Sequence, residues 1–205
     1  MENKLLIEDF SKENKRLNKH QLDSFETSIL TYLRKGLPQQ RILPQFDSGT
    51  RSDNSKFTDF VIVMENCIIA IEAKCYTGII EPTGDPRNTS WTCQTKSGKT
   101  TINASWGLNP YQQIYTYVKS ILNRINSPSR NSFLKIPVYG IVVFPTEAEI
   151  VLSINCNMGV SYRVTTVKNL LKVIHSLEAE AQSKNKSVMS SKKILNILLG
   201  SFYKE

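Results

Sequence analysis

Histidine is nearly absent: His20 and His175 are the only two in 205 residues. They lie far apart along the chain without companion ligands, so no histidine-based zinc centre or histidine general base suggests itself. The four cysteines, Cys67, Cys75, Cys93 and Cys156, form no C-x-x-C pair. Reduced thiols in a cytoplasmic protein suit that pattern better than disulfides or zinc. No apolar run approaches the roughly 20 residues of a membrane span. The start, MENKLLIEDFSKENKR, has neither the apolar stretch nor the cleavage site of a signal peptide. There is no internal repeat and no glycine-rich phosphate loop after a strand. Acid is the minority charge: 18 Asp+Glu against 26 Lys+Arg leave a net +8. That balance favours a polyanionic partner such as nucleic acid over a neutral metabolite.

What is present concentrates in Phe57 to Lys74, FTDFVIVMENCIIAIEAK. Two apolar strands fold back across Glu65-Asn66, with Met64 opposite Cys67, Val63 opposite Ile68 and Asp59 opposite Glu72. Opposed residues have Cβ atoms roughly 5 Å apart on one sheet face, where like charges repel. Residues two apart share a face, so Lys74 lies beside Glu72. Two carboxylates and an ammonium on an apolar sheet are costly unless something divalent binds there, and a metal ion is the simplest occupant. The Glu-x-Lys tripeptide alone means little. It also occurs at Glu2-Asn3-Lys4 and Glu13-Asn14-Lys15, in polar surroundings, and only Glu72-Ala73-Lys74 ends a buried strand.

The chain is long enough for one core and short for two. Leu22, Phe25, Ile29, Leu30 and Leu33 predict a helix over Gln21 to Lys35, stopped by Gly36 and Pro38. Glu26 lies about 40° from the centre of that stripe at roughly 100° per residue. It either snorkels to solvent or joins a site. Arg41 to Phe46 forms a short strand that Pro44 breaks or confines to an edge, and Asp47 to Ser55 is a polar loop. Thr77 to Gly107 is rich in Gly, Pro, Ser and Thr, and about thirty such residues are unlike an idle loop. A hairpin there would pair Ser90 to Thr95 with Thr100 to Ala104 across Lys96 to Lys99. Arg87, Trp91, Lys96 and Lys99 would then touch a phosphate backbone or stack on a base, unless Trp91 packs inward.

Asn109-Pro110 opens a helix, Asn as N-cap and Pro in the first turn. Tyr111, Tyr115, Val118, Leu122 and Ile125 line one face, joined by Ile114 and Ile121. Gln112 and Gln113 flank that stripe. Val138 to Phe144 is a buried strand, Ile150 to Cys156 another and Tyr162 to Val164 a short one. Thr166 caps a helix to about Gln182. Lys184 to Ser187 separates it from a last helix, Ser191 to Tyr203.

Glu26 in a helix, Thr58-Asp59-Phe60-Val61-Ile62-Val63, Ile71-Glu72-Ala73-Lys74, Tyr76 with Gly78, Trp91 and Asn109-Pro110-x-x-Gln113 come in an order that resembles the NERD (nuclease-related) domain of the PD-(D/E)xK superfamily. The resemblance covers roughly residues 21 to 145. Phe25 stands where members often have Gly, and Phe60 where they often have His; neither change removes a carboxylate. The resemblance implies an α/β, restriction-endonuclease-like core, a mixed central sheet flanked by helices in the order α-β-β-β-α-β. In domain terms, 1–20 is a polar extension and 21–183 the nuclease-like domain. Residues 184–205 are a linker and a C-terminal helix on the same domain.

The implied activity is Mg²⁺- or Mn²⁺-dependent hydrolysis of nucleic acid, DNA favoured over RNA, in bacterial defence or mobile-element biology. Asp59, Glu72 and the Ala73 carbonyl would hold the ion, Lys74 would position the attacking water and stabilise the transition state, and Glu26 would touch a metal through water or a second ion. Helical geometry does not separate Gln112 from Gln113; the family spacing selects Gln113 to orient water or substrate. No membrane partner is expected, and assembly would be a homodimer or a larger defence complex. The alternative is a catalytically inactive nucleic-acid-binding or protein-interaction module on the same fold.

Overall fold

The computed structural model describes residues 22–47, 57–125, 136–152, 161–184 and 191–199. Helix α1, Ser24–Gly36, starts in a reciprocal capping box: the Asp23 side chain accepts the Glu26 N–H at 2.8 Å and Glu26 accepts the Asp23 N–H at 3.0 Å. Ile29, Leu30 and Leu33 form its buried side. Strands β1 (Arg41–Asp47), β2 (Phe57–Val63) and β3 (Ile68–Ala73) follow as an antiparallel meander. The β2–β3 register is the one the hairpin requires: Val63 pairs with Ile68 and Phe60 with Ile71, and the Met64 N–H reaches the Cys67 carbonyl at 3.0 Å.

Next come β4 (Ile79–Pro82), β5 (Trp91–Thr95), β6 (Gly98–Thr101), helix α2 (Pro110–Ile125), β7 (Val138–Phe144), β8 (Glu149–Ile150) and β9 (Tyr162–Thr166). Helices α3 (Val167–Lys184) and α4 (Ser191–Leu199) complete the described elements. The main sheet runs β1-β2-β3-β7-β9, with β7 parallel to both β3 and β9; a second sheet runs β6-β5-β4-β8. This is the mixed, helix-flanked α/β architecture expected. Strand β7 is buried throughout, as a central parallel strand covered on both faces must be. Pro44 lies in β1, an edge strand of the main sheet, where a missing N–H is tolerated.

Each face of the main sheet carries its own core. Phe60, Ile62, Ile69 and Ile71 pack with α1 and α3; Val61, Val63, Ile68 and Ala70 pack with α2, α4 and the second sheet. Gly140 in β7 lets α2 approach. A Cβ there would stand 2.9 Å from Ile114 Cγ1 and 2.8 Å from Tyr162 Cδ1, so a larger residue would push the helix away.

Three sequence expectations change. The second-sheet hairpin turns on two residues, Lys96-Ser97, because Thr95 pairs with Gly98, whose φ of 135° closes a tighter turn than four residues would. The buried side of α2 is Gln113, Ile114, Tyr117, Val118, Ile121 and Ile125. Tyr115 is exposed, while Tyr111 is half-buried against the core; both pack with Tyr162, centroids 6.0 and 5.0 Å away. Of Ile150 to Cys156, only Ile150 belongs to a described strand, and 153–160 lie outside the described residues. So do the 1–20 extension, most of the Asp47 to Ser55 loop, most of the Lys184 to Ser187 linker and the end of the last helix.

Trp91 is fully buried and its indole N–H donates to the Pro86 carbonyl at 2.7 Å. It has no free face for a base, because its ring joins the second sheet to the shared core. Trp91→Ala should therefore cost about 3–5 kcal/mol in denaturant unfolding, the range for truncating a buried aromatic. A loss under about 0.5 kcal/mol would return it to the surface class.

Candidate active site

Strand alternation puts Asp59 on the face of Val61 and Val63, and Glu72 on the face of Ile68 and Ala70. Both carboxylates therefore point toward α2, as the hairpin pairing requires. They are nearly enclosed, 9% and 3% exposed. The Asp59 Oδ2 accepts the Ala73 N–H at 2.7 Å. In a strand, carbonyl and N–H of one residue point to the same edge, so the Ala73 carbonyl is directed toward Asp59 as well.

Glu72 is held unevenly. Its Oε1 accepts Lys74 Nζ at 2.9 Å and Gln113 Nε2 at 2.7 Å, while its Oε2 is buried and takes no N–H donor or hydroxyl among the described residues, leaving the Asp59 carboxyl as the neighbour its carboxyl can share a proton with. A buried carboxylate oxygen short of donors costs free energy in a metal-free protein. Burial, reinforced by the Glu72 charge, raises the Asp59 carboxyl well above its ordinary value; the Ala73 N–H opposes this. Burial also raises Glu72, opposed chiefly by Lys74. Two enclosed carboxylates, too close for both to ionise freely, suit a cation between them.

The structure separates the two glutamines. Gln113 is 2% exposed; its Oε1 accepts the Ser105 N–H at 3.1 Å, and its Nε2 reaches Tyr117 Oη at 3.0 Å as well as Glu72. Gln112 turns away, accepting the Leu108 N–H and donating to the Arg87 carbonyl. Asn109 caps α2 as expected, accepting the Gln112 N–H at 2.9 Å. The side chain of Glu26 faces the cleft from the first turn of α1, near enough for its charge to raise both Asp59 and Glu72.

These groups line an open cleft of about 550 Å³, whose walls also include Asp23, Gln45, Phe57, Ser105, Trp106 and Tyr117. Arg87, Trp91, Lys96 and Lys99 do not line it. Arg87 pairs with Asp85 at 2.8 Å and Lys99 with Glu81 at 2.7 Å, both on the second-sheet side. Sequence reasoning missed four of the lining groups that touch site residues: Asp23, Gln45, Ser105 and Tyr117. Tyr117 could have been found four residues after Gln113, on the same helix face. Its hydroxyl is pushed above the usual tyrosine range by burial, with the Glu72 and Asp59 charges adding to the shift. Gln45 left no local signal. The capping partner of Glu26 was legible in Asp23-x-x-Glu26.

Among the described residues no three His, Cys, Asp or Glu side chains gather as a metal cluster. A cation here would rest on two carboxylates, a backbone carbonyl and water. That hard-oxygen set suits a hard divalent cation. No curated protein and no solved structure shows a significant match to the chain. The family model for the nuclease-related domain matches residues 22–145, a span running from the start of α1 to the end of β7 and including every group of the cleft. The chain belongs to the NERD, or nuclease-related domain, family.

Proposed function

We propose that this protein hydrolyses phosphodiester bonds of nucleic acid with Mg²⁺ or Mn²⁺, DNA favoured over RNA, in the cytoplasm and in a bacterial defence or mobile-element setting. The observation that carries this is the pair of enclosed carboxyls, Asp59 and Glu72, with no N–H donor or hydroxyl on Glu72 Oε2 among the described residues and the other oxygen of Glu72 held by Lys74 and Gln113. Asp59, Glu72 and the Ala73 carbonyl would hold the ion. When bound, such an ion polarises a phosphate oxygen and lowers the pKa of water.

The remaining work falls to the chain's own side chains. Lys74 sits 2.9 Å from Glu72 Oε1, so its positive charge is fixed where negative charge builds on phosphorus during attack. Gln113 is anchored by the Ser105 N–H and Tyr117 Oη. Its fixed carboxamide orients the attacking water or the substrate without reorganising. Burial of the carboxylates keeps bulk water from screening these charges.

Purified protein incubated with plasmid, linear duplex, single-stranded DNA and RNA, each with Mg²⁺, Mn²⁺ or EDTA, tests the proposal. Metal-dependent and EDTA-sensitive cleavage of DNA is expected. Retained binding without cleavage on any substrate would instead favour an inactive nucleic-acid-binding module, and cleavage in EDTA would remove the metal.

A further inference from the structure

Gln45 has a φ of 47°, left-handed in a non-glycine residue, within a strand. Such a conformation persists only where the surroundings impose it, and it tends to mark sites where a side chain must be aimed. Its effect on β1 is visible in the packing. Leu43 and Phe46, three apart, enter the same core cluster, which unbroken alternation forbids. The break lies between them. The flanking pairs Pro44–Phe60 and Phe46–Thr58 leave Gln45 across from Asp59. From there its Nε2 donates to Glu26 Oε2 at 3.3 Å, and both side chains line the cleft with Asp59 and Glu72. The capping bond from the Asp23 N–H falls on the same Glu26 oxygen, so no hydrogen bond among the described residues engages Oε1.

We propose that Gln45 is a positioning residue, its left-handed backbone aiming the carboxamide at Glu26 so that this carboxylate is held facing the Asp59–Glu72 pair. The inference rests on the metal-dependent function proposed above. It adds a specific claim: Glu26 would support a bound divalent ion, and Gln45, together with the capping bond from the Asp23 N–H, holds Glu26 in place for it. Partners of this outer kind typically change metal affinity by about 10-fold or more.

Three variants test it, with Mn²⁺ affinity measured by calorimetry and thermal unfolding measured in EDTA. Gln45→Gly removes the carboxamide but suits the positive φ, so metal-free Tm should stay within about 3 °C of wild type or rise. Gln45→Ala removes the carboxamide and keeps the strain, so its Tm should be lower. Both should weaken Mn²⁺ binding by about 10-fold and to the same extent, despite their different stabilities. Glu26→Gln, which retains the capping box, should weaken binding similarly, and adding Gln45→Gly to it should cause no further loss. Wild-type affinity in Gln45→Gly, or a full additional loss in the double variant, would overturn the role of Gln45 while leaving the proposed function intact. A wild-type protein that binds no Mn²⁺ would overturn both.

Discussion

Lys74→Ala should reduce cleavage at least about 100-fold while nucleic-acid binding changes no more than a few-fold, the pattern of a group that acts mainly on the transition state. The geometry argues for this division. Lys74 is held against Glu72 Oε1 at 2.9 Å with its side chain 12% exposed, so it is a fixed internal charge and not a mobile surface lysine. Ground-state attraction for a long polyanion comes from many basic groups, and removing one of 26 Lys+Arg residues changes it little. Transition-state charge develops at one phosphorus, where a single pre-placed ammonium has no substitute. Single-turnover cleavage and fluorescence anisotropy on the same oligonucleotide separate the two effects. Parallel losses in both would make Lys74 a phosphate anchor. Lys74→Arg is a useful companion, because a guanidinium keeps the charge but not the compact point geometry.

Asp59→Asn should abolish the rise in melting temperature that Mg²⁺ or Mn²⁺ gives the wild-type protein, while leaving metal-free stability equal or slightly higher. A ligand stabilises the native state only as far as it binds there, and the substitution removes an anionic donor. In the metal-free protein the same change relieves a penalty. Burial and Glu72 hold the Asp59 carboxyl well above its ordinary value. A raised folded pKa means that the native state retains protons the unfolded state has released. Metal-free wild type should therefore lose stability as pH climbs from about 4 through that raised value. The substituted carboxamide does not titrate, and its oxygen can still accept the Ala73 N–H that Asp59 accepts at 2.7 Å. The variant's pH dependence over that interval should be flatter. Melting curves across pH in EDTA, then with added metal, test both halves. A full metal-dependent shift in the variant would place the ion elsewhere.

The sequence by itself determined the parts governed by short-range periodicity. A strand repeats every two residues, and the short β2–β3 connection pinned the register, so the facing of Asp59 and Glu72, with Lys74 beside Glu72, was legible before any fold was known. The Asn109-Pro110 start of α2, the buried β7 run and the edge position of Pro44 follow from equally local rules. Tertiary structure decided the rest. Which side of α2 is buried depends on what packs on it: against the sheet, Gln113 and Tyr117 face inward and Tyr115 stays out. Trp91 became core because a second sheet needed an anchor against the first. Gln45 took a left-handed conformation that no propensity favours for glutamine, since neighbours supplied by α1 and β2 hold it there. Local patterns fix which way a side chain leaves its own strand or helix; only the packing of separate elements fixes what it meets.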